Sequence, residues 1–129
     1  QIAKDLRVRK LVLKFQKNLA YHPPKKYNGS ILDGRDITSK VVTDAEFKFY
    51  ITANTRVRAK RRYDELIKLG KKVKFDEILN SIKKRDREDR CRKHSKLKKT
   101  KDSILINTTN LSIKNSFLKV KKIMDRKLK

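Results

Sequence analysis

Ser30-Ile31-Leu32-Asp33-Gly34-Arg35-Asp36-Ile37 is a short apolar run that stops at a glycine set between carboxylates and an arginine. That pattern predicts a buried strand, Ser30-Ile31-Leu32, ending at a ligand site. Glycine lets the backbone turn without a side-chain clash. Arginine offers a planar fork of donors matched to phosphate or carboxylate. Asp33 or Asp36 is suited to accept from an amine, to help hold a metal, or to fix Arg35. A plain polar turn with its own ion pair fits the same letters.

The flanking segments decide what kind of sheet such a strand would join. Upstream, Val8, Val12, Phe15 and Leu19 mark a helix face that must end before Pro23-Pro24. Downstream, Phe47 to Ile51 is rich in strand-favouring aromatics. Asn54 or Thr55 is placed to cap a helix with Ala59, Tyr63, Leu66 and Ile67 on one face, and Gly70 to end it in a left-handed turn. Phe75, Ile78, Leu79 and Ile82 mark a further helix. Lys93 to Lys101 has no apolar period and reads as a mobile basic loop. Ser103 to Ile106 is a third strand. Ser112 caps a last helix with Ile113, Phe117, Val120, Met124 and Leu128 along one face. Strands separated by helices imply an α/β chain with a parallel sheet and flanking helices, part of a doubly wound domain. In such sheets ligands sit beyond the carboxyl ends of the strands.

Two more charged clusters accompany the first. Arg85, Asp89 and Arg92 share one helical face if the helix runs that far. Such a row can grip a sugar and a phosphate, or be a solvated face of ion pairs each worth about 0–1 kcal/mol. Arg56, Arg58, Arg61 and Arg62 open the helix after the second strand. They suit a phosphoryl-transfer clamp, a nucleic-acid contact or plain solvent.

The bulk numbers narrow the classes. The 129 residues suit one domain, 1–129. The net charge is +24, from 38 Lys+Arg against 14 Asp+Glu. That excess fits nonspecific nucleic-acid binding through counterion release, and equally a compositional drift toward lysine. The single cysteine, Cys91, points to a reducing, cytoplasmic compartment. No run approaches the roughly 20 apolar residues of a membrane span. The three glycines are too sparse for a G-x-x-x-x-G-K-[ST] phosphate loop. Neither His22 nor His94 has a partner at metal-ligand spacing. The first residue is Gln, so the chain is expected to lack its natural start or to be the remnant of a longer protein.

Several blocks in register resemble bacterial cytidylate kinase. They are Ile31 to Ile37; Val41-Val42 with Asp44 to Phe49; Thr52-Ala53 leading into Val57 to Leu66; Phe75 to Asp89; and Asp102 to Ile106 leading into Thr108-Thr109 and Leu111 to Ile113. The resemblance covers essentially the whole chain. It implies a P-loop nucleoside monophosphate kinase fold without its amino-terminal strand and P-loop, and phosphoryl transfer from ATP to CMP or dCMP with Mg²⁺, by a monomer. It implies further that Arg9 and Asp36 help recognise cytosine, and that Asp33 lies at the CMP site. Arg35, Arg85, Asp89 and Arg92 would hold the phosphate and sugar. Arg58, Arg61 and Arg62 would belong to an Arg-rich lid spanning about 54–92. The chain departs from the family pattern at Thr38-Ser39-Lys40, at Thr43, and at Lys93-His94-Ser95-Lys96. Three functional readings stay open: part of a CMP kinase, inactive by itself; a basic nucleic-acid-binding module; and a decayed, non-functional remnant.

Overall fold

A computed structural model describes residues 6–91 and 96–128. Helix α1 spans Leu6–Tyr21, followed by a short π-helical turn at Ile37–Val41. Strand β1 is Phe49–Thr52, helices α2 and α3 are Thr55–Lys68 and Phe75–Cys91, strand β2 is Ile104–Asn107, and helix α4 is Ile113–Lys127.

The strands pair in parallel, with Phe49 opposite Ile104 and Thr52 opposite Asn107. Ile104 N donates to Lys48 O at 2.8 Å and Thr108 N to Thr52 O at 2.8 Å, continuing the ladder past both ends. Parallel neighbours need a crossover connection, which the α2–α3 hairpin supplies. Its stops are local chemistry. The Asn54 side chain accepts from Arg56 N, capping α2. Gly70, at φ 72°, ends it. There Gly70 N donates to Ile67 O at 2.9 Å and Lys71 N to Leu66 O at 3.0 Å, which satisfies two of the last carbonyls. The Ser112 hydroxyl caps α4 by accepting from Asn115 N.

Ser30-Ile31-Leu32 is not a strand. Ile31 is 96% exposed, and the Ser30 hydroxyl donates to Ala20 O, folding the segment back on the end of α1. A strand exists only by pairing, and among the described residues the sheet has two members, β1 and β2. Leu32 instead packs, with Ala20 and Ala45, against a core of Ile37, Val41 and Val42. The π-helical turn builds that core: Val42 N donates to Ile37 O at 2.8 Å, which brings the three apolar residues to one side. Gly34 belongs to it too, because a Cβ there would lie 2.9 Å from Ile37 Cγ1. The glycine is required by close approach, not by a special dihedral.

The amino ends of the strands are tied by a polar knot. Lys48, 9% exposed, donates to Thr43 O and pairs with Asp102 in the loop before β2. The Lys48 ammonium, helped by Thr100, holds the Asp102 carboxyl down at about 2. The ordinary value is 3.8, so the folded chain resists protonation that the unfolded chain accepts. The knot's contribution is therefore complete above about pH 4 and is lost as pH falls toward 2. Urea midpoints measured from pH 6 to pH 2 should fall more steeply for the wild type than for Asp102→Asn, and the two curves should converge near pH 2. Parallel curves would show that the pair adds nothing.

The apolar row of α4 is only partly covered. Val120 and Met124 are half-buried, whereas Ile113 is 92% and Phe117 64% exposed. Its far end is held by Lys127, which donates to Glu46 O and lies over the Phe47 ring.

Candidate functional site

Arg35 and Asp89, far apart in sequence, meet in the fold. Arg35 Nε lies 2.5 Å from Asp89 Oδ2, with the Asp89 side chain 9% exposed and Arg35 29%. The Nε–H is not aligned for a hydrogen bond, so the contact is an ion pair. Arg85 Nε approaches the same carboxylate oxygen at 4.0 Å. Helix α3 continues to Cys91, which places Arg85 and Asp89 on one face as their spacing predicts. A buried carboxylate thus holds two guanidiniums, one from the loop after α1 and one from α3. Two clustered guanidiniums on a shared acid can receive a phosphate in paired hydrogen bonds.

The other predicted residues are placed as follows. Asp36 is half-buried, and its carbonyl accepts from Lys40 N at 2.9 Å. Asp33 is exposed, and Arg9 is half-buried on α1. Arg92 lies outside the described residues, as do Lys93, His94 and Ser95 of the predicted basic loop; Lys96 to Thr100 are irregular.

The arginines of α2 are engaged within the chain. Arg58 Nη1 donates to Asp86 Oδ1 at 2.9 Å and Nη2 to Asp86 Oδ2 at 2.5 Å. Its Nε donates to Ala53 O at 3.1 Å and its Nη2 also to the Thr55 hydroxyl at 3.1 Å. The pairing holds the Asp86 carboxyl below its ordinary range. Arg61 Nη2 donates to Thr108 O at 2.6 Å and Leu111 O at 3.0 Å, tying α2 to the turn after β2. Arg62 pairs with Glu65 at 2.8 Å on the surface.

A cleft of about 670 Å³ lies beyond the carboxyl ends of both strands, lined by Asn54, Arg56, Val57, Lys60, Tyr63, Phe75 and Thr109. The Arg56 guanidinium sits over the Phe75 ring at 5.9 Å, and Lys60 over Tyr63 at 5.4 Å. Arg56 was read from the sequence only as one of a basic group. Lys60 stands in the sequence only as part of the family-like block, and no spacing predicts the Tyr63–Phe75 pairing. Residues that are distant in sequence and meet across a helical hairpin leave no spacing signal. Among the described residues no group of His, Cys, Asp and Glu is placed to hold a metal. No described helix is long and apolar enough to cross a membrane.

Comparison with known proteins gives the family. The chain is 44% identical over 117 residues to a cytidylate kinase of Bartonella tribocorum, covering 91% of this chain and 53% of that protein. It is 42% identical over 127 residues to a cytidylate kinase of Thermosipho melanesiensis, covering 98% of this chain and 56% of that one. A Clostridium botulinum cytidylate kinase is 47% identical over 106 residues, 82% of this chain and 46% of its own length. The chain thus spans about half the length of the curated relatives it matches. The family model described as cytidylate kinase matches residues 1–126, and the chain belongs to that family.

Proposed function

We propose that this chain carries the CMP-recognising part of a kinase that transfers the γ-phosphoryl group of ATP to CMP or dCMP. The observation that supports this most is the Arg35–Asp89–Arg85 cluster, which unites two separate Arg/Asp motifs around one buried carboxylate. In this reading Arg35 and Arg85, joined by Arg92, bind the CMP phosphate and sugar. Asp89 orients the two arginines. Asp36 accepts from the exocyclic amine of cytosine, the pairing that carboxylates make with that base. Arg9 and Asp33 complete the CMP side.

The cleft at the strand ends receives ATP. Its apolar floor and the ring faces of Tyr63 and Phe75 suit the nucleoside, and Arg56 and Lys60 suit the phosphates. Segment 54–92 acts as the lid. Arg58 and Arg61 are bonded to other elements of the fold, so the lid's phosphate-facing charge falls to Arg56, Lys60 and Arg62. Lys60 has an exposed pair with Asp64 at 2.7 Å that a phosphate can replace, and the exposed pair of Arg62 with Glu65 is of the same kind. In the transfer, a CMP phosphate oxygen bonds to the γ-phosphorus and the bond to the β–γ bridging oxygen breaks, releasing ADP. Mg²⁺, which the family implies, would neutralise charge on the ATP phosphates.

The experiment that tests this reading is a titration of the ¹⁵N-labelled chain with CMP. Arg35 and Arg85 side-chain resonances should shift saturably, and AMP at the same concentrations should shift them less. Absence of any CMP-dependent shift would remove the reading. The sequence has no G-x-x-x-x-G-K-[ST] loop to cradle the ATP phosphates, and positioning plus electrostatics is nearly all of phosphoryl-transfer catalysis. A coupled assay of this chain with ATP, Mg²⁺ and CMP should therefore show no ADP above blank. Turnover that scales with protein would show that the residues present suffice.

A further inference from the structure

We infer that Arg58 and Asp86 are positioning residues: a two-pronged clasp between α2 and α3 that sets where the far end of α3 presents Asp89 to Arg35. Neither residue touches the proposed CMP site, and the clasp's functional meaning rests on the CMP reading above.

The argument is one of leverage. Helices α2 and α3 form an antiparallel hairpin. At the turn end, Tyr63 meets Phe75 edge to face, with ring centroids 6.1 Å apart. At the other end, Arg58 meets Asp86. Asp89 is fourteen residues along α3 from Phe75, about 21 Å at 1.5 Å per residue, so a tilt of roughly 5° about the turn end moves it by about 2 Å. The Arg35–Asp89 contact is 2.5 Å. A displacement of that size carries it past ion-pair reach. A contact near the far end of α3 removes this slack, and Arg58–Asp86 sits one turn from Asp89.

The clasp is built as a fixed strut. The parallel fork from Arg58 to Asp86 resists both rotation and sliding, which a single contact does not. Its Nε bond to Ala53 O anchors the same guanidinium to the residue that follows β1. The path runs from the end of β1 through Arg58 and Asp86 into α3, then one turn on to Asp89 and across to Arg35. Four of the five N–H groups of Arg58 are used in these bonds, so while the clasp holds the arginine cannot fork onto a phosphate. Lysine at 58 keeps the charge but neither the fork nor the Nε bond.

The sole cysteine provides the probe. Cys91 is exposed and lies at the end of α3. A nitroxide on Cys91 and another on Lys40→Cys, an exposed position in the turn next to Arg35, report the distance across the site by pulsed electron resonance. Asp86→Asn should shift or broaden that distance distribution by about 2 Å, the excursion the helix geometry gives, with helix content by circular dichroism unchanged. Arg58→Lys should fall between wild type and Asp86→Asn. If Asp86→Asn does not fold, Arg58→Lys decides alone. A lowered melting temperature with an unchanged distribution would mean that the pair only stabilises the fold, and would overturn the inference. The CMP titration fails or succeeds separately: if CMP does not bind and the distance still changes, the clasp stands and the CMP assignment falls.

Discussion

Ile106→Ala should remove much of the chain's stability, and most of it at the upper end of the expected cost. Ile106 is the one large side chain in the described structure with no exposed surface, at the centre of β2. Removing three carbons from such a site costs the transfer free energy plus the cavity left behind, about 2–5 kcal/mol. The chain has little to set against that loss. Among the described residues the buried apolar ones are Ile37, Val41, Val42, Ala53, Ala59 and Ile106, and the sheet has two strands. Domains with ordinary cores have about 5–15 kcal/mol in total, and a core this small belongs at the bottom of that range. Ile106→Val, which removes one carbon, should cost about 0.5–1.5 kcal/mol and remain folded. Urea unfolding followed by circular dichroism measures both. If Ile106→Ala lost less than Ile106→Val, the centre of β2 would not be the keystone described here.

The position of Ile106 in β2 was legible because period and punctuation agree there: an apolar run, a polar turn, then a serine cap. Helices α2 and α3 were legible for the same reason, down to the left-handed Gly70 and a cap narrowed to Asn54 or Thr55, of which Asn54 makes the bond. Ser30 to Leu32 misled because an apolar tripeptide ending at glycine looks alike whether it pairs in a sheet or turns back on a helix. Pairing is a non-local fact, decided by which neighbours are present. The core at Ile37, Val41 and Val42 was in plain view as spacings of four and one, but a π-helical turn has no propensity signature of its own. At the site, the helical spacing of Arg85 and Asp89 was readable. That Arg35 crosses to Asp89, or that Arg58 crosses to Asp86, was not, because an arginine's partner depends on how two elements pack.

Arg35→Ala should weaken CMP binding by more than any substitution outside the cluster. Two losses coincide. The first is direct: a guanidinium that meets a phosphate makes charge-assisted hydrogen bonds worth about 1.5–3 kcal/mol, or roughly tenfold to a hundredfold in affinity. The second acts through Asp89. The Asp89 side chain is 9% exposed, and removing Arg35 takes away its ion pair at 2.5 Å, with Arg85 lying farther off at 4.0 Å. Breaking a buried pair costs about 3–5 kcal/mol; with Arg35 partly exposed, about 2 kcal/mol is expected. Arg85 should be drawn closer to Asp89 as a result, and so away from the ligand. Arg35→Lys separates the two effects. It keeps a positive charge beside Asp89 and so should recover most of the stability, but it cannot fork onto a phosphate and should recover little of the affinity. Lys96→Ala, in the exposed irregular segment after α3, should change neither. CMP titrations and urea midpoints on the three variants decide the matter. Were Arg35→Lys to bind CMP as the wild type does, the fork would be irrelevant and Arg35 would serve only to hold Asp89. Were Lys96→Ala to weaken CMP more than Arg35→Ala, the binding charge would lie in the basic segment and not in the cluster around Asp89.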